Sequence, residues 1–548
     1  MPKKQPGSVS RRDFFKKGAA VGAGATTLAG QTAQPRRSQI QFDSVADVVI
    51  VGAGASGLPA AIMARDHGAS VIVIDANHDV GGHAIVSGGR VPLGGGTSWQ
   101  EKYGVADSAD QVYLDHTSVK NPELRFGDRD LIRVWADENA PTFEFLLENG
   151  VIFNDRPPTV VNEGSVPRLF IAVPYSDNLN ETINGSPGSG LVRHLEASAR
   201  AKGVTFLLRH KLTNIIRESP TSGRVQGIIA TSGGKEVRIQ ARRGVVIATG
   251  GHTANVDFRR MFDPRLTEEY QTAGEPWTKQ NADGELLAMA LGASLWATSN
   301  VANEYGRSIT KTIHIGCRYG YQNLKWNPKS PMFDRAGATG LSVEDFQDLI
   351  MVNQIGQRFW NEVDPSYHFL NACLGTNGNM GKGAKVNGGG PIWAIFDSDA
   401  AQREKWDTKP PYVDRSGWFF SASTLAELAG KIENPYQLQR MPPSALEETV
   451  RRYNAFVDAG KDSDFGKPSP KYKIEAPPFH AAWSTPILHD CLAGLRINRK
   501  CQVVDIHGQV IPGLYAAGES AGGFALHGLP RVIVFGRIAG REAALDKV

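Results

Sequence analysis

Apolar runs separated by polar, glycine-rich breaks divide the front of this 548-residue chain into short elements. An uninterrupted β-branched run at residues 48–51 predicts a strand buried on both faces, as in a parallel sheet. A helical stretch at residues 57–67 and a second apolar run at residues 70–74 follow it. The order strand, helix, strand predicts an α/β unit built around a parallel sheet.

Later apolar patterns extend this unit and then interrupt it. Further predicted elements are a helix at 191–201, strands at 204–210, 212–218, 225–231 and 244–248, a helix from 281 through 290, and a last helix at 532–546. Between about residues 300 and 486, aromatic, Pro and Gly residues increase and parallel-strand runs vanish. This change predicts an inserted α+β capping domain.

The break after the first strand is a glycine turn with a mechanical role for each glycine. Gly52 permits a tight turn, Gly54 lets the backbone approach a pyrophosphate, and Gly57 lets the next helix pack on the sheet. The helix N-terminus offers N–H groups and partial positive charge to phosphates. Asp75 lies 23 residues after Gly52, where a ribose hydroxyl is usually held. These features predict a dinucleotide site.

A second signature stands about 450 residues later, at residues 513–519, and ends in Gly518-Glu519. One folded unit must return to the cofactor after a long excursion, which favours FAD. The glycine-rich loop 81–89 suits a close approach to the flavin or its diphosphate, and the strand ending in Thr249-Gly250 suits a second contact. The predicted FAD contacts are Gly52, Gly54, Ala55, Ser56, Gly57, Asp75, Ala76, Gly82, His83, Ser87, Gly88, Gly89, Thr249, Gly250, Asp283, Glu519 and Val532.

The predicted fold is therefore α/β, a Rossmann-like FAD-binding domain with an inserted α+β capping domain. The predicted parts are a twin-arginine signal peptide at 1–33, a linker at 34–43, the first part of the FAD-binding domain at 44–300, the capping domain at 301–486, and the second part of the FAD-binding domain at 487–548.

The charge of the chain is concentrated at its front. The formal net charge is +4, but residues 1–33 hold six Lys/Arg and one acid, so the remainder carries a slight negative charge. This balance argues against a nucleic-acid partner. Arg11-Arg12 before a weakly apolar stretch at 18–30 resembles the twin-arginine export signal, and the stretch is too short to span a bilayer. We predict periplasmic export of the folded protein; a basic disordered tail is the alternative.

The cysteines suggest no second redox centre. Cys317, Cys373, Cys491 and Cys501 show no CxxC or CxxCH spacing, so we predict no attached c-type haem, no iron–sulfur cluster and no metal. A Cys491–Cys501 bridge is possible in an oxidising compartment, but isolated thiols are the preferred interpretation. Electrons must then come from or pass to an external partner, such as a soluble cytochrome or quinone-linked carrier; direct reaction with oxygen is the alternative.

Six motifs in order resemble the flavoprotein family of fumarate reductases, succinate dehydrogenases and 3-ketosteroid dehydrogenases. The resemblance covers about residues 44–548. It implies hydride transfer between flavin N5 and carbon, which makes or breaks a C–C double bond beside an activating carbonyl. The motifs are the segments 51–57, 248–251, 283–284, 356–362, 477–481 and 513–537.

The active-site positions depart from the fumarate reductase pattern. Glu304 falls where that family has a substrate-holding histidine, and no arginine follows the Arg358–Glu362 motif within residues 363–368. The histidine of the last substrate loop is kept as His489. Arg531 could replace the family's late arginine or lie beside the flavin pyrimidine.

The ketosteroid dehydrogenase pattern uses two tyrosines. Tyr367 lies within a residue of the first position, and His480 replaces the second. A tyrosine and a histidine around an enone are a workable acid/base pair because histidine titrates near neutral pH. Each of these residues, and His489, could instead be an ordinary structural side chain. His83 could carry a covalent flavin bond, although a noncovalent role is preferred.

Three functions follow. The leading hypothesis is an exported FAD-dependent oxidoreductase acting on a C–C double bond next to a carbonyl. The second is a fumarate-like reductase of a small unsaturated carboxylate. The third is a flavin electron-transfer subunit without its own substrate.

Overall fold

The strands in the described part of the chain range from two to 13 residues. The computed structural model describes residues 40–118, 127–161, 166–176, 185–297, 309–310, 313–319, 333, 337–364, 367–374, 387, 390–524 and 528–547. In chain order the strands are β1 (Ser44–Val51), β2 (Val71–Asp75), β3 (Arg90–Pro92), β4 (Leu169–Ile171), β5 (Thr205–Leu208), β6 (Lys211–Ser219), β7 (Ser222–Ser232), β8 (Lys235–Ile247), β9 (Gln271–Thr272), β10 (Leu295–Trp296), β11 (Ile309–Thr310), β12 (His314–Ile315), β13 (Leu341–Ser342), β14 (Ile350–Asn353), β15 (Ile392–Phe396), β16 (Phe419–Ala422), β17 (Phe479–Trp483), β18 (Ile487–Leu488), β19 (Gly494–Leu495), β20 (Gln502–Val504) and β21 (Val510–Ala516).

The helices cover the sheets and connect them. They are α1 (Gly57–Asp66), α2 (Ser98–Lys102), α3 (Ala109–Thr117), α4 (Arg129–Asp137), α5 (Asn139–Glu148), α6 (Pro187–Ala201), α7 (Val256–Arg260), α8 (Asp283–Ala290), α9 (Tyr367–Leu374), α10 (Ser398–Arg403), α11 (Leu425–Lys431), α12 (Pro443–Ala459) and α13 (Leu529–Leu545). Short 3₁₀ turns lie at Gly82–Val86, Phe346–Asp348 and Gly518–Ser520.

The main sheet combines strands from both ends of the chain. Its order is β20-β21-β8-β1-β2-β5, and the β6–β7 hairpin joins it through β8. Strand β1 runs parallel to β2 and β8, and β21 runs parallel to β8. Val51 pairs with Ile74 and Ile247, and Ile247 pairs with Ala516. Four strands therefore end at one edge of the sheet, and the predicted α/β fold is confirmed.

Two helices pack closely on one another beside this sheet. A Cβ at Gly536 would overlap the backbone of Ser56 and one at Gly540 the backbone of Ala60, so α13 approaches α1 at glycine distance. A Cβ at Gly57 would likewise overlap the carbonyl oxygen of Gly52. These contacts hold the first turn of α1 rigidly against the sheet edge.

A separate antiparallel sheet, with order β14-β15-β17-β16, lies in the stretch where parallel runs were expected to vanish. Its buried faces carry Trp393, Trp483, Phe396 and Phe419. The boundaries 44–300, 301–486 and 487–548 stay predictions, because residues 42–548 group as one compact unit.

Element boundaries differ from the sequence predictions at several helix starts. α6 begins at Pro187 rather than 191, since the Ser186 hydroxyl accepts the Ser189 N–H and caps the helix. α13 begins at Leu529 rather than 532. Loop 81–89 contains a 3₁₀ turn. Within the described part of the chain, no helix has the length and apolarity needed to cross a membrane.

Candidate FAD and substrate site

The glycine turn after β1 leaves room for a ligand at one glycine and none at the others. The Gly52 N–H donates to the Ile74 carbonyl at 2.8 Å, and its φ of 108° requires glycine. A Cβ added at Gly54 would meet nothing nearer than the Gly81 oxygen at 3.9 Å, and one at Gly82 nothing nearer than Gly54 Cα at 3.9 Å. Gly54 and Gly82 thus face an open cradle at the N-terminus of α1. This space fits the pyrophosphate of FAD.

Asp75 is held in place at the end of β2. Its carboxylate accepts the N–H of Ala53 at 2.7 Å and the N–H of Asn77 at 2.7 Å, and burial raises its pKa. Each carboxylate oxygen can accept a further hydrogen bond, so a ribose hydroxyl can still be held there. Ala76 follows it at the same edge.

The second glycine-rich loop packs on the start of α6. A Cβ at Gly89 would press on Pro187, and the Ser87 hydroxyl accepts the Gly89 N–H at 3.3 Å. The 81–89 loop bridges to the first turn through Gly54 and Gly81, whose backbones pair. Gly88 lies within this packed stretch. The predicted loop contacts thus lie next to the cradle.

The Thr249-Gly250 loop is fastened to the late motif. The Ser520 hydroxyl donates to the Gly250 carbonyl at 2.8 Å and lies 3.2 Å from the Thr249 hydroxyl. Asp283 lies at the start of α8, a third of its side chain is exposed, and it forms an ion pair with Lys211 at 3.2 Å. Ion pairing is the contact that the structure gives this residue.

Glu519 lies where these segments meet. It accepts the Gln280 amide N–H at 2.7 Å and the Cys491 backbone N–H at 3.4 Å. Burial and the neighbouring Asp490 raise the pKa of Glu519 to about 8, although Arg531 opposes the rise. This shift favours the protonated form of Glu519, in which the carboxyl group can donate a hydrogen bond.

Arg531, at the start of α13, is buried and binds the backbone. Its guanidinium donates to the carbonyl oxygens of Cys491 at 3.1 Å, Gly518 at 3.0 Å, Ala521 at 2.7 Å and Phe524 at 3.5 Å. This use argues against Arg531 as the partner of a substrate carboxylate. Val532, the next residue, is buried in the first turn of α13.

His83 and His489 come together with an acid. Their ring centroids are 6.0 Å apart, and one nitrogen of each ring and a carboxylate oxygen of Asp490 all lie within 4.8 Å of one another. Burial lowers the pKa of His83 to about 4, so its imidazole is neutral at pH 7. Two loops that are far apart in sequence therefore place the neutral imidazole of His83 and the imidazole of His489 next to the carboxylate of Asp490.

Among the other predicted catalytic residues, His480 is described in full and lies in the antiparallel sheet. His480 lies in β17 opposite Phe396, its ring is 5.0 Å from that of Phe396 and 5.3 Å from that of Phe419, and burial lowers its pKa to about 4. It is packed as a neutral side chain in the antiparallel sheet. Tyr367 begins α9, and its side chain is outside the described residues, as is all of Glu304.

Several polar contacts at this site were not predicted from the sequence. Gln280 joins the Thr253 hydroxyl, at 2.9 Å, to Glu519. His252, directly after the Thr249-Gly250-Gly251 loop, lies 3.8 Å from Glu285 of α8. These partners are separated by 27 to 239 residues, and no short motif links them.

Four strand ends, an open glycine cradle and an acid on β2 together define an FAD-binding flavoprotein. The chain belongs to the FAD binding domain family, which matches residues 47–530. FAD is therefore its cofactor, and the residues of the cradle fit it.

Similar proteins are reductases. The acrylate reductase flavoprotein subunit of Shewanella woodyi is 28% identical over 96% of this chain and 94% of its own length. The NADH:acrylate oxidoreductase of Vibrio harveyi is 26% identical over 92% of this chain, which spans only 51% of that protein. The predicted class, an FAD-dependent oxidoreductase, is confirmed.

Solved structures show the same fold. The open conformation of a flavocytochrome c3 fumarate reductase aligns with a TM-score of 0.65 at 22% identity, covering 99% of this chain and 83% of that one. The 3-ketosteroid Δ1-dehydrogenase of Sterolibacterium denitrificans aligns with a TM-score of 0.64 at 20% identity, covering 92% and 100%. The predicted family resemblance is confirmed.

Proposed function

We propose that this chain reduces a C–C double bond conjugated to a single carbonyl or carboxyl group. The observation that carries the proposal is the group of His83, His489 and Asp490 at the loop where the family motifs meet, with Asp490 close enough to raise the pKa of Glu519. The names of similar proteins, acrylate reductases among them, support the direction of reduction.

The charge of the site favours a substrate with one acidic group at most. Arg531 donates to backbone carbonyls, and the Asp490 carboxylate lies close to Glu519. A dicarboxylate would bring a second negative charge towards Asp490, which costs free energy in a buried site. A fumarate-like activity is therefore the second candidate.

Each residue near the substrate has a role in this proposal. Bound FAD supplies a hydride at N5. His489 holds the activating carbonyl or carboxylate, and Asp490 orients that imidazole. His83 stays neutral and packs beside it. We retain Tyr367 as a candidate proton donor, and propose that His480 and Arg531 have packing and backbone roles.

The test follows flavin reoxidation. Enzyme reduced under anaerobic conditions is mixed in a stopped-flow instrument with acrylate, fumarate or a cyclic enone, and flavin absorbance is followed. We expect rapid recovery of oxidised flavin with a mono-activated alkene and slow recovery with fumarate. Fastest reaction with fumarate would overturn the charge argument, and no reaction with any alkene would favour an electron-transfer subunit.

Variants separate the proposed roles. General acid/base help is typically worth about 10²–10⁴ in rate, so Tyr367→Phe should lower turnover by that order if Tyr367 donates the proton. His489→Ala should raise KM more than it lowers kcat. His480→Phe fills the same space between aromatic rings and should keep near-wild-type turnover; strong loss would restore a catalytic role for His480.

We further propose that the capping domain spans residues 301–486, that residues 1–33 direct periplasmic export, and that an external carrier supplies electrons. Export is tested by Arg11→Lys with Arg12→Lys, which should leave the protein in the cytoplasm.

A soluble cytochrome or quinone-linked protein that reduces the flavin at the turnover rate would identify the carrier. Full-rate peroxide release in air, with no carrier needed, would contradict that expectation.

A further inference from the structure

A second histidine–carboxylate pair lies behind the Thr249-Gly250 loop, which we expect to contact the flavin. His252 and Glu285 are both fully buried, and His252 Nδ1 is 3.8 Å from Glu285 Oε1. Glu285 lies in the first turn of α8, and the His252 ring packs against Phe258 at 5.0 Å and Phe262 at 5.5 Å. Two ionisable groups thus share a site walled by aromatic rings.

This pair is attached to the flavin-contact segments through the backbone. The Gly251 carbonyl accepts the Ala282 N–H at 3.1 Å, just before α8. The His252 N–H donates to the Cys491 sulfur at 3.0 Å, and a Cβ at Gly251 would press on Cys491. The pair therefore adjoins both the loop 249–251 and the segment that carries His489.

The two groups influence one another's ionisation. Burial opposes the charged form of His252, but Cys491 and Glu285 together raise its pKa well above the usual value. Burial raises the pKa of Glu285, and His252 opposes that rise. Burial also raises the pKa of Cys491, which favours its thiol form, so Glu285 is the acid that pairs with His252.

We propose that His252 and Glu285 form a charge-compensated pair, with one shared proton, that sets the midpoint potential of the bound FAD. Two-electron reduction adds negative charge to a flavin, so a nearby uncompensated cation stabilises the reduced form and an uncompensated anion destabilises it. The pair is a positioning and tuning element. This proposal requires that FAD binds and does not depend on the identity of the proposed substrate.

The test measures the midpoint potential of the full-length FAD-loaded protein at pH 5 and at pH 9 by equilibration with a reference dye, because burial opposes the charge of each group once its partner is gone. Glu285→Gln leaves the imidazole without its acid and should raise the potential at pH 5, where the imidazole most readily gains a proton. His252→Gln leaves the carboxyl group without its base and should lower the potential at pH 9, where the carboxyl group most readily loses its proton. The double variant should return towards the wild-type value, because both members of the pair are then uncharged.

Matched controls make the same changes at exposed sites. His507→Gln and Glu427→Gln should leave the potential unchanged. Shifts of the two buried variants in the same direction, or no shift in either, would overturn the proposal. Displacement of the loop alone would not be expected to shift the potential in opposite directions in the two variants.

If a single glutamine variant loses FAD, Glu285→Leu or His252→Phe is measured with the same expected sign. If all four single variants lose FAD, restored binding in the double glutamine variant supports charge compensation, and failure to restore it refutes the proposal.

Discussion

Gly54 and Gly57 lie three residues apart in the same turn, yet substitution by alanine should have different effects at the two positions. At Gly54 it should weaken FAD binding, and at Gly57 it should lower the free energy of unfolding. At Gly54 an added Cβ meets no atom nearer than 3.9 Å, so Gly54→Ala should change the free energy of unfolding of the apoprotein by no more than about 1 kcal/mol. The methyl group would occupy the cradle that the pyrophosphate needs. Losing one charge-assisted hydrogen bond to phosphate costs about 1.5–3 kcal/mol, which weakens FAD binding by roughly 10- to 100-fold.

Gly57→Ala should instead damage the fold. Its Cβ would overlap the Gly52 carbonyl oxygen, and overpacking of this kind costs about 1–3 kcal/mol or more. Denaturant unfolding of apoprotein gives the stability of each variant, and calorimetric titration with FAD gives the affinity. Gly430→Ala, at a helical site where a Cβ meets nothing within 4 Å, is the control for the glycine-to-alanine change itself. Wild-type FAD affinity in Gly54→Ala would refute the assignment of the cradle.

Three further predictions concern buried groups. Arg531→Met should lower the free energy of unfolding, measured by thermal or denaturant unfolding, by more than about 3 kcal/mol. The reason is that several buried carbonyls lose their hydrogen-bond donor, at a cost of about 1–3 kcal/mol each. A loss under about 1 kcal/mol would contradict the role of this side chain. Because the pKa of Glu519 rises from an ordinary 4.5 to about 8 on folding, the folded protein binds the proton more tightly, and this contribution to stability is full below about pH 4.5 and is lost as pH rises towards 8. The stability of Glu519→Gln apoprotein should therefore fall less than that of wild type between pH 5 and 8, and parallel curves would refute the shift. Finally, FAD should leave the denatured protein on filtration, since we expect no covalent bond to His83; flavin absorbance that stays with the chain would prove a covalent link.

The sequence and the structure agree closely where a pattern is local. The run at 48–51, the glycine turn and Asp75 lie within about 30 residues, and the expected βαβ unit formed with the register that places them at one edge. The late Gly518-Glu519 motif lies at the same end of the sheet because parallel strand β21 ends beside β8. Helix starts were less predictable, since a capping serine or a proline precedes the apolar repeat.

The catalytic residues were harder to place because residue type and loop motif do not specify direction. The His480 position in its motif matched a family loop, yet β17 turns the side chain between Phe396 and Phe419. An arginine near the end of the chain is a natural carboxylate ligand by type. In the folded chain it donates to four backbone carbonyls from two segments, one at Cys491 and one at 518–524.

The sequence by itself determined the cofactor, the parallel sheet and the division of the FAD-binding elements between the two ends of the chain. Those properties can be predicted from the spacing of nearby residues, because a strand, a glycine turn and a helix dipole each depend on residues that are close in sequence. Only the tertiary structure decided that the pKa of Glu519 is raised, that His83 meets His489, and that His252 meets Glu285. Such properties depend on burial and on contacts between distant segments, and the free energy of a buried charge is set by what surrounds it in space rather than along the chain.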